Sequence, residues 1–247
     1  MGAPRFFVNG MLLPASVGTE VPLPDSVAHH ALRVLRLGTG DSIVLFAGDG
    51  GEYSATLTRV GKRDAYARLD AFVAADRESP LRIALVQAIA SSDVMDAIVR
   101  HAVELGVAAI DPVVSARSAR FPDGAQGEKR LAHWRQVAIA ACEQCGRNRV
   151  PAVSEVIPLT QWCEQRDASR VGVMLDPEAR TDLRAIHPTD AGVQLLIGPE
   201  GGFTADEIAR AERARMHRVR LGPRVLRAET ASLAALTAVN FLWGDLR

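Results

Sequence analysis

Residues 81–90 (LRIALVQAIA) form a nearly unbroken apolar run, and this run limits the possible folds more than any other feature of the chain. A strand with one wet face alternates polar and apolar residues. A strand apolar along its length is covered on both faces, as in a parallel sheet sandwiched between helices. The residues beyond it keep to that architecture. Val94, Ile98, Ala102 and Leu105 mark one stripe of a helix that Gly106 can terminate. Residues 108–114 read as a second strand, 128–145 as a second helix, and 171–175 and 193–197 as further strands. Thr204 and Glu207 form a capping box that opens another helix, and residues 218–221 read as the last strand. A closing helix over 229–243 is apolar almost all round, which suits a core or a subunit interface. The alternation predicts an α/β domain with an ordinary, unknotted sheet, because true knots are rare.

The N-terminal part has a different rhythm. Tyr53, Ala55 and Leu57 alternate with Glu52, Ser54, Thr56 and Thr58. Ala65, Ala67, Leu69, Ala71 and Val73 alternate with Tyr66, Arg68 and Asp70. Both are patterns of half-buried strands. Gly48, Asp49, Gly50 and Gly51 supply a turn before the first of them. A helix fits residues 26–37, with Val27, Ala31, Val34 and Leu35 on one face and Arg33 and Arg36 on the other. We therefore expect a small barrel-like module over residues 1–75 and an α/β domain over 81–247. The polar stretch 74–80, which ends in Pro80, would link them.

With 247 residues, 48% of them hydrophobic, the chain can bury a sizeable core, and no apolar stretch approaches the roughly 20 residues of a membrane span. Pro4, Asn9, Gly10 and Pro14 interrupt residues 1–14, so no secretory signal is expected and a cytoplasmic location is inferred. The 29 basic and 29 acidic residues cancel, which excludes a uniformly basic nucleic-acid binder. Lys62 and Lys129 are the only lysines; the arginine excess fits either nucleotide bias or a use for guanidinium forks on phosphates and bases. Cys142 and Cys145 stand in a helical pattern with no second pair, so with Cys163 they are expected as packing residues, with no metal site.

Three segments carry chemistry. Ile197-Gly198-Pro199-Glu200-Gly201-Gly202-Phe203-Thr204 runs from a buried strand through a glycine loop into a capped helix. Gly198, Gly201 and Gly202 permit positive φ and close backbone approach. The loop has neither the Lys-Ser/Thr of a phosphate loop nor a G-x-G-x-x-G spacing, so a nucleoside-like ligand without phosphates, or a plain tight turn, fits equally. Residues 221–231 (LGPRVLRAETA) repeat the strand–glycine–helix junction, with Arg224, Arg227 and Glu229 as charges beside an apolar helix. Residues 143–151 (EQCGRNRVP) place Arg147, Asn148 and Arg149 after a helix end, where they could cap it or touch RNA.

In this order and at these separations, GPEGGFT, LGPRVLRAETA and EQCGRNRVP resemble the RsmE family of 16S ribosomal RNA uridine-N3 methyltransferases. The stretch 87–107 (QAIASSDVMDAIVRHAVELGV), the start Arg5-Phe6-Phe7-Val8 and residues 29–36 with Gly40-Asp41 extend the likeness over nearly the whole chain. The resemblance implies an α/β, SPOUT-type catalytic domain with a trefoil knot, preceded by a small PUA-like β-barrel domain that binds RNA. It implies a homodimer acting on 16S ribosomal RNA, within the small ribosomal subunit, with no membrane and no metal. S-adenosylmethionine would be held by Gly198, Pro199, Glu200, Gly201, Leu221, Gly222, Val225 and Leu226, with Leu175, Ile197 and Thr230 beside them. Arg5, Arg33, Arg36, Arg147, Asn148 and Arg149 would contact RNA. Where that family commonly reads Lys-Gly before an acidic residue, this chain has Ser91-Ser92-Asp93.

Methylation of a uridine N3 requires alignment of the base with the methyl donor, departure of the N3 proton and stabilisation of charge on the flanking carbonyls. Glu229 is the candidate for orientation or proton acceptance and Arg227 for the electrostatic role. Competing readings are a sister SPOUT enzyme acting on tRNA or a ribose hydroxyl, and a non-catalytic ribosome-assembly factor. A nicotinamide oxidoreductase is disfavoured because the Rossmann fingerprint is missing.

Overall fold

A computed structural model describes residues 2–9, 17–62 and 64–246, so residues 10–16, which carry part of the signal-peptide argument, lie outside the described residues. The chain divides into two compact units. One comprises Met1–Glu78 with Cys142–Val150, the other Ser79–Ala141 with Pro151–Arg247.

In the first unit, β1 (Arg5–Phe7), β2 (Glu20–Pro22), β3 (Ser42–Phe46), β4 (Glu52–Val60) and β5 (Ala65–Val73) form one sheet in the order β1-β3-β4-β5-β2. β1 pairs parallel with β3, and the other pairs are antiparallel. Phe6, Ile43, Leu45, Leu57 and Leu69 fill its core together with Val27 and Ala31. The predicted alternation along β5 holds through Leu69 and then lapses. Ala55 pairs with Leu69 but Ser54 pairs with Ala71, so Asp70 is an extra residue. Such a bulge turns the later side chains over, and Ala71 and Val73 face outward.

The helix expected over 26–37 also changes character midway. α1 (Asp25–His29) passes into a π-helical turn, His30–Val34, in which the Leu35 N–H reaches the His30 carbonyl at 3.0 Å. The wider turn rotates the inward face. Val34 and Leu35 are 61% and 41% exposed, and Leu32 and Leu37 pack on the core in their place. The stretch 74–80 is no slack linker either. Arg77 bonds Glu52 and the Gly146 carbonyl, and the Ala75 carbonyl accepts from Asn148, all within the first unit.

The second unit contains β6 (Ile83–Ala88), α2 (Ser92–Glu104), β7 (Ala109–Val114), α3 (Gly124–Cys145), β8 (Ala152–Val153), β9 (Ile157–Pro158) and α4 (Leu159–Gln165). After these come β10 (Val171–Leu175), β11 (Val193–Ile197), α5 (Ala205–Arg213), β12 (Met216–Val219) and α6 (Ala228–Trp243). The last turn of α3, from Cys142, belongs to the first unit. The strands are parallel in the order β12-β10-β11-β6-β7-β8, with β9 also paired to β7. Every residue of β6 and β11 is buried, as their nearly unbroken apolar runs require, with Gln87 and Gln194 the polar exceptions. The last strand forms two residues earlier than expected, leaving Arg220 and Leu221 in the loop beyond it.

On one face of the sheet, α4 and α5 bury Leu159, Trp162, Cys163 and Ala211 against Val86, Met174 and Leu196. α4 was not expected, although the spacing of Leu159, Trp162 and Cys163 is helical. α2 packs on α6, and Gly106 ends α2 with φ +77°. Buried Asn240 of α6 is satisfied by the Leu105 carbonyl and by Ser79. Cys142 and Cys163 are buried, as packing residues are, and burial pushes the Cys142 thiol up to about 12.

Candidate active site

Because β10, β11 and β12 are parallel, their carboxyl ends share one edge of the sheet, where ligands of open α/β sheets bind. A cleft of about 640 Å³ lies there, within the size range of small-molecule sites. Its walls come from the loops after β10, β11 and β12, and from Ala228 and Ala231 of α6. The two glycine motifs thus meet in one cavity, although they are well separated along the chain.

Of the expected cofactor residues, Leu175, Ile197, Gly198, Pro199, Glu200, Gly201, Leu221, Val225 and Leu226 line this cleft. Gly222 and Thr230 are not among its lining residues. Positive φ occurs at Gly202 (+66°) and Gly222 (+71°), so these two positions need glycine for conformation; Gly198 and Gly201 do not. Space is nevertheless tight at 201, where an added Cβ would lie 3.1 Å from the Cβ of Arg117, so Arg117 would have to give by a few tenths of an ångström.

The glycine loop is tied down by polar contacts. Buried Gln87 donates from Nε2 to the Ile197 and Gly198 carbonyls at 3.5 and 3.3 Å, while its Oε1 accepts from Ser232 of α6 at 2.7 Å. Ser91 precedes α2 and donates from its N–H and hydroxyl to Glu200 Oε1, both at 3.1 Å. Burial opposes ionisation of Glu200, but its own backbone N–H and the two Ser91 donors outweigh this and hold the carboxyl below its ordinary value.

Arg227 is exposed at the N-cap of α6, and Glu229, in the first turn, is half-buried. Neither lines the cleft, but both flank Ala228, which does. Neither side chain is engaged in an ion pair or hydrogen bond among the described residues. Sequence reasoning missed Arg117, Asp176, Phe203 and Arg220 as cleft residues. Each lies within a few residues of the carboxyl end of β7, β10, β11 or β12, and that position was the available signal.

The six expected RNA contacts separate into two groups. Arg33, Arg36 and Arg149 are exposed. Arg5, Arg147 and Asn148 are interior, and their burial argues for a structural role instead. Arg5 bonds Glu52 and the Asn148 side chain, each at 2.5 Å, and stacks over Phe46. Arg147, 4% exposed, pairs with Glu78, and Asn148, 1% exposed, donates to the Ala75 carbonyl. Burial opposes ionisation of Glu52, but hydrogen bonds and charge from Arg77 and Arg5 lower its carboxyl to about 2.

Comparison with known proteins gives this arrangement its class. Residues 77–240 match the family of RNA methyltransferase domains, and residues 23–70 match the PUA domain of RNA methyltransferases. The fold is that of a two-unit RNA methyltransferase with a PUA domain and an α/β methyltransferase domain. The chain is 34% identical to ribosomal RNA small subunit methyltransferase E of Mycobacterium bovis, over 98% of this chain and 93% of that protein. It is 29% identical to the Bacillus subtilis enzyme of the same name, over 96% of each. The crystal structure of the Neisseria gonorrhoeae enzyme bound to S-adenosylmethionine superposes with a TM-score of 0.92 at 39% identity, covering both chains fully. A putative methyltransferase from Legionella pneumophila in complex with the same cofactor gives 0.94 at 33%, again over both full chains. The chain belongs to the ribosomal RNA small subunit methyltransferase E family, RsmE.

Proposed function

We propose that this protein transfers a methyl group from S-adenosylmethionine to N3 of a uridine in 16S ribosomal RNA. The observation that carries the reading is the convergence of both glycine motifs on one cleft at the strand ends, in a chain of this family. A relative bearing the family name is solved with that cofactor bound. The residues fit it. The cleft has the volume for a nucleoside, apolar walls from Leu175, Ile197, Val225 and Leu226, and no phosphate-binding loop.

Those side chains, with Gly198, Pro199, Glu200, Gly201 and Leu221, would hold the cofactor, while Gly222 gives its loop the required turn and Thr230 stands beside it in α6. When bound, S-adenosylmethionine supplies an electrophilic methyl on a sulfonium sulfur. The protein's own task is to present the base in line and manage its proton. Glu229 accepts or relays the N3 proton, and Arg227 offsets negative charge on the adjacent carbonyls. The first unit captures RNA through Arg33, Arg36 and Arg149. On this reading RNA binding belongs to the first unit, which includes 142–150 where the sequence had placed them in the catalytic domain over 81–247, and catalysis belongs to the second. The same reading includes a knotted catalytic unit, a cytoplasmic location and a homodimer.

The experiment is methylation of purified small ribosomal subunits with labelled cofactor, then mass spectrometry of the nucleosides. The expected product is N3-methyluridine. A 2'-O-methylated nucleoside, or transfer only to tRNA, would indicate a sister activity, and RNA binding without transfer an assembly factor.

A further inference from the structure

We propose that Arg117 is a positioning residue that holds the tip of the glycine loop in the shape that binds the cofactor. This rests on the methyltransferase reading above. Gln87 and Ser91 secure the root of that loop and its Glu200 side chain. Its tip is closed by a turn, Gly202 N–H to Pro199 carbonyl at 2.9 Å, and among the described residues it is gripped from outside by one side chain. The Arg117 guanidinium Nη1 donates to the Gly201 carbonyl at 2.8 Å. The stem of Arg117 lies along the Gly201 backbone, 3.1 to 3.7 Å from where a Cβ would stand. Arg117 also lines the cleft.

The segment presenting Arg117 is itself anchored. The Ala116 N–H donates to Glu207 Oε1 at 2.7 Å, and Glu207 is the capping-box residue of α5, the helix that the glycine loop enters. Ser115 N–H bonds Ser118 Oγ at 3.0 Å, and Ala119 N–H bonds the Ile89 carbonyl at 2.9 Å. Arg117 is therefore offered from a fixed turn, and its contact pins one end of the loop relative to α5. A hydrogen bond between exposed groups contributes little by itself; it counts here because a loop already in its bound shape loses less freedom when the ligand arrives. Arginine suits the task because its planar fork can hold one carbonyl and keep further donors for the cleft.

The test uses the full-length protein with Arg117→Ala, Arg117→Gln and Arg117→Lys. Calorimetric Kd for S-adenosylmethionine and the KM and kcat of methyl transfer to small subunits are measured. Arg117→Ala is expected to weaken cofactor binding and raise its KM by about tenfold, the lower range for losing one charge-assisted hydrogen bond. At saturating cofactor, kcat stays within about twofold, RNA affinity and melting temperature are unchanged, and Arg117→Lys recovers part of the loss. If Arg117→Ala does not fold, Arg117→Gln is read in its place. Unchanged cofactor affinity in the folded variants overturns the proposal. So does a loss confined to kcat, which would place the guanidinium on the reacting base. Failure of the wild-type chain to bind S-adenosylmethionine would instead overturn the function reading.

Discussion

Glu52 illustrates how one side chain can organise distant sequence. It is 9% exposed and accepts from Arg5 and Arg77, while Arg5 and Arg77 also reach the segment around Gly146 and Asn148. Its carboxyl, ordinarily near 4.5, titrates at about 2, so the folded state prefers the ionised form. The stabilisation is complete above about pH 4.5 and is lost as pH falls through about 2. Glu52→Gln should therefore lower unfolding free energy by about 2–3 kcal/mol at pH 7. The difference from wild type should shrink steadily between pH 4.5 and 2, as denaturant titrations across that range would show. On either side of Ala228, Glu229→Gln and Arg227→Ala should each reduce kcat by about 100-fold with cofactor Kd unchanged. Equal kcat in either variant removes that residue from the mechanism.

At the scale of elements, α6 divides its apolar residues between two faces. Ala235, Leu236 and Val239 are fully covered within the chain, whereas Leu233, Phe241 and Leu242 are 39%, 65% and 37% exposed. The all-round apolarity of the sequence does not by itself say which of these residues the chain covers. Leu236→Asp would bury an unpaired charge and unfold the protein, so it says nothing about association. Phe241→Glu is the informative change. It should leave the melting temperature of the folded chain nearly unaltered and shift the proposed homodimer toward monomer, measured by light scattering, with methyl transfer falling in parallel. A monomeric wild type that is fully active would remove the dimer from the mechanism. The π-helical turn and the β5 bulge belong to this scale as well. Each adds a residue to a repeat that the amino acids themselves write as regular.

For the whole molecule, the consequential feature is that Cys142–Val150 joins the first unit while the residues on both sides of it join the second. A fragment spanning 79–247 would retain the cleft residues but lose Glu78, Ala75, Arg5 and the Phe7 N–H that bonds Glu143. Arg147 would then lose Glu78, and Asn148 would lose Ala75 and Arg5; both would have to stay buried without these particular contacts, at a cost of several kcal/mol, or come out into water. The second course is cheaper. Hydrogen exchange on the fragment should show residues 142–150 unprotected and the β6–β11 core still protected. Protection of 142–150 equal to the full chain would show that the segment stands without its partners.

Much of this was legible in the residues alone. The runs in β6 and β11 dictated a doubly covered parallel sheet, since a strand apolar throughout has no other low-energy place. The Thr204–Glu207 capping box and Gly106 marked helix ends correctly because caps are local chemistry. The two glycine motifs pointed to the cleft because strand ends and tight turns are also local. What tertiary structure alone decided were questions of distance across the sequence. It brought Arg117 to Gly201, Ser91 to Glu200 and Gln87 to Ser232, and it took Arg147 and Asn148 out of solvent. An arginine carries the same charge at the surface as in the interior; only the packed chain determines whether water or a carboxylate surrounds it.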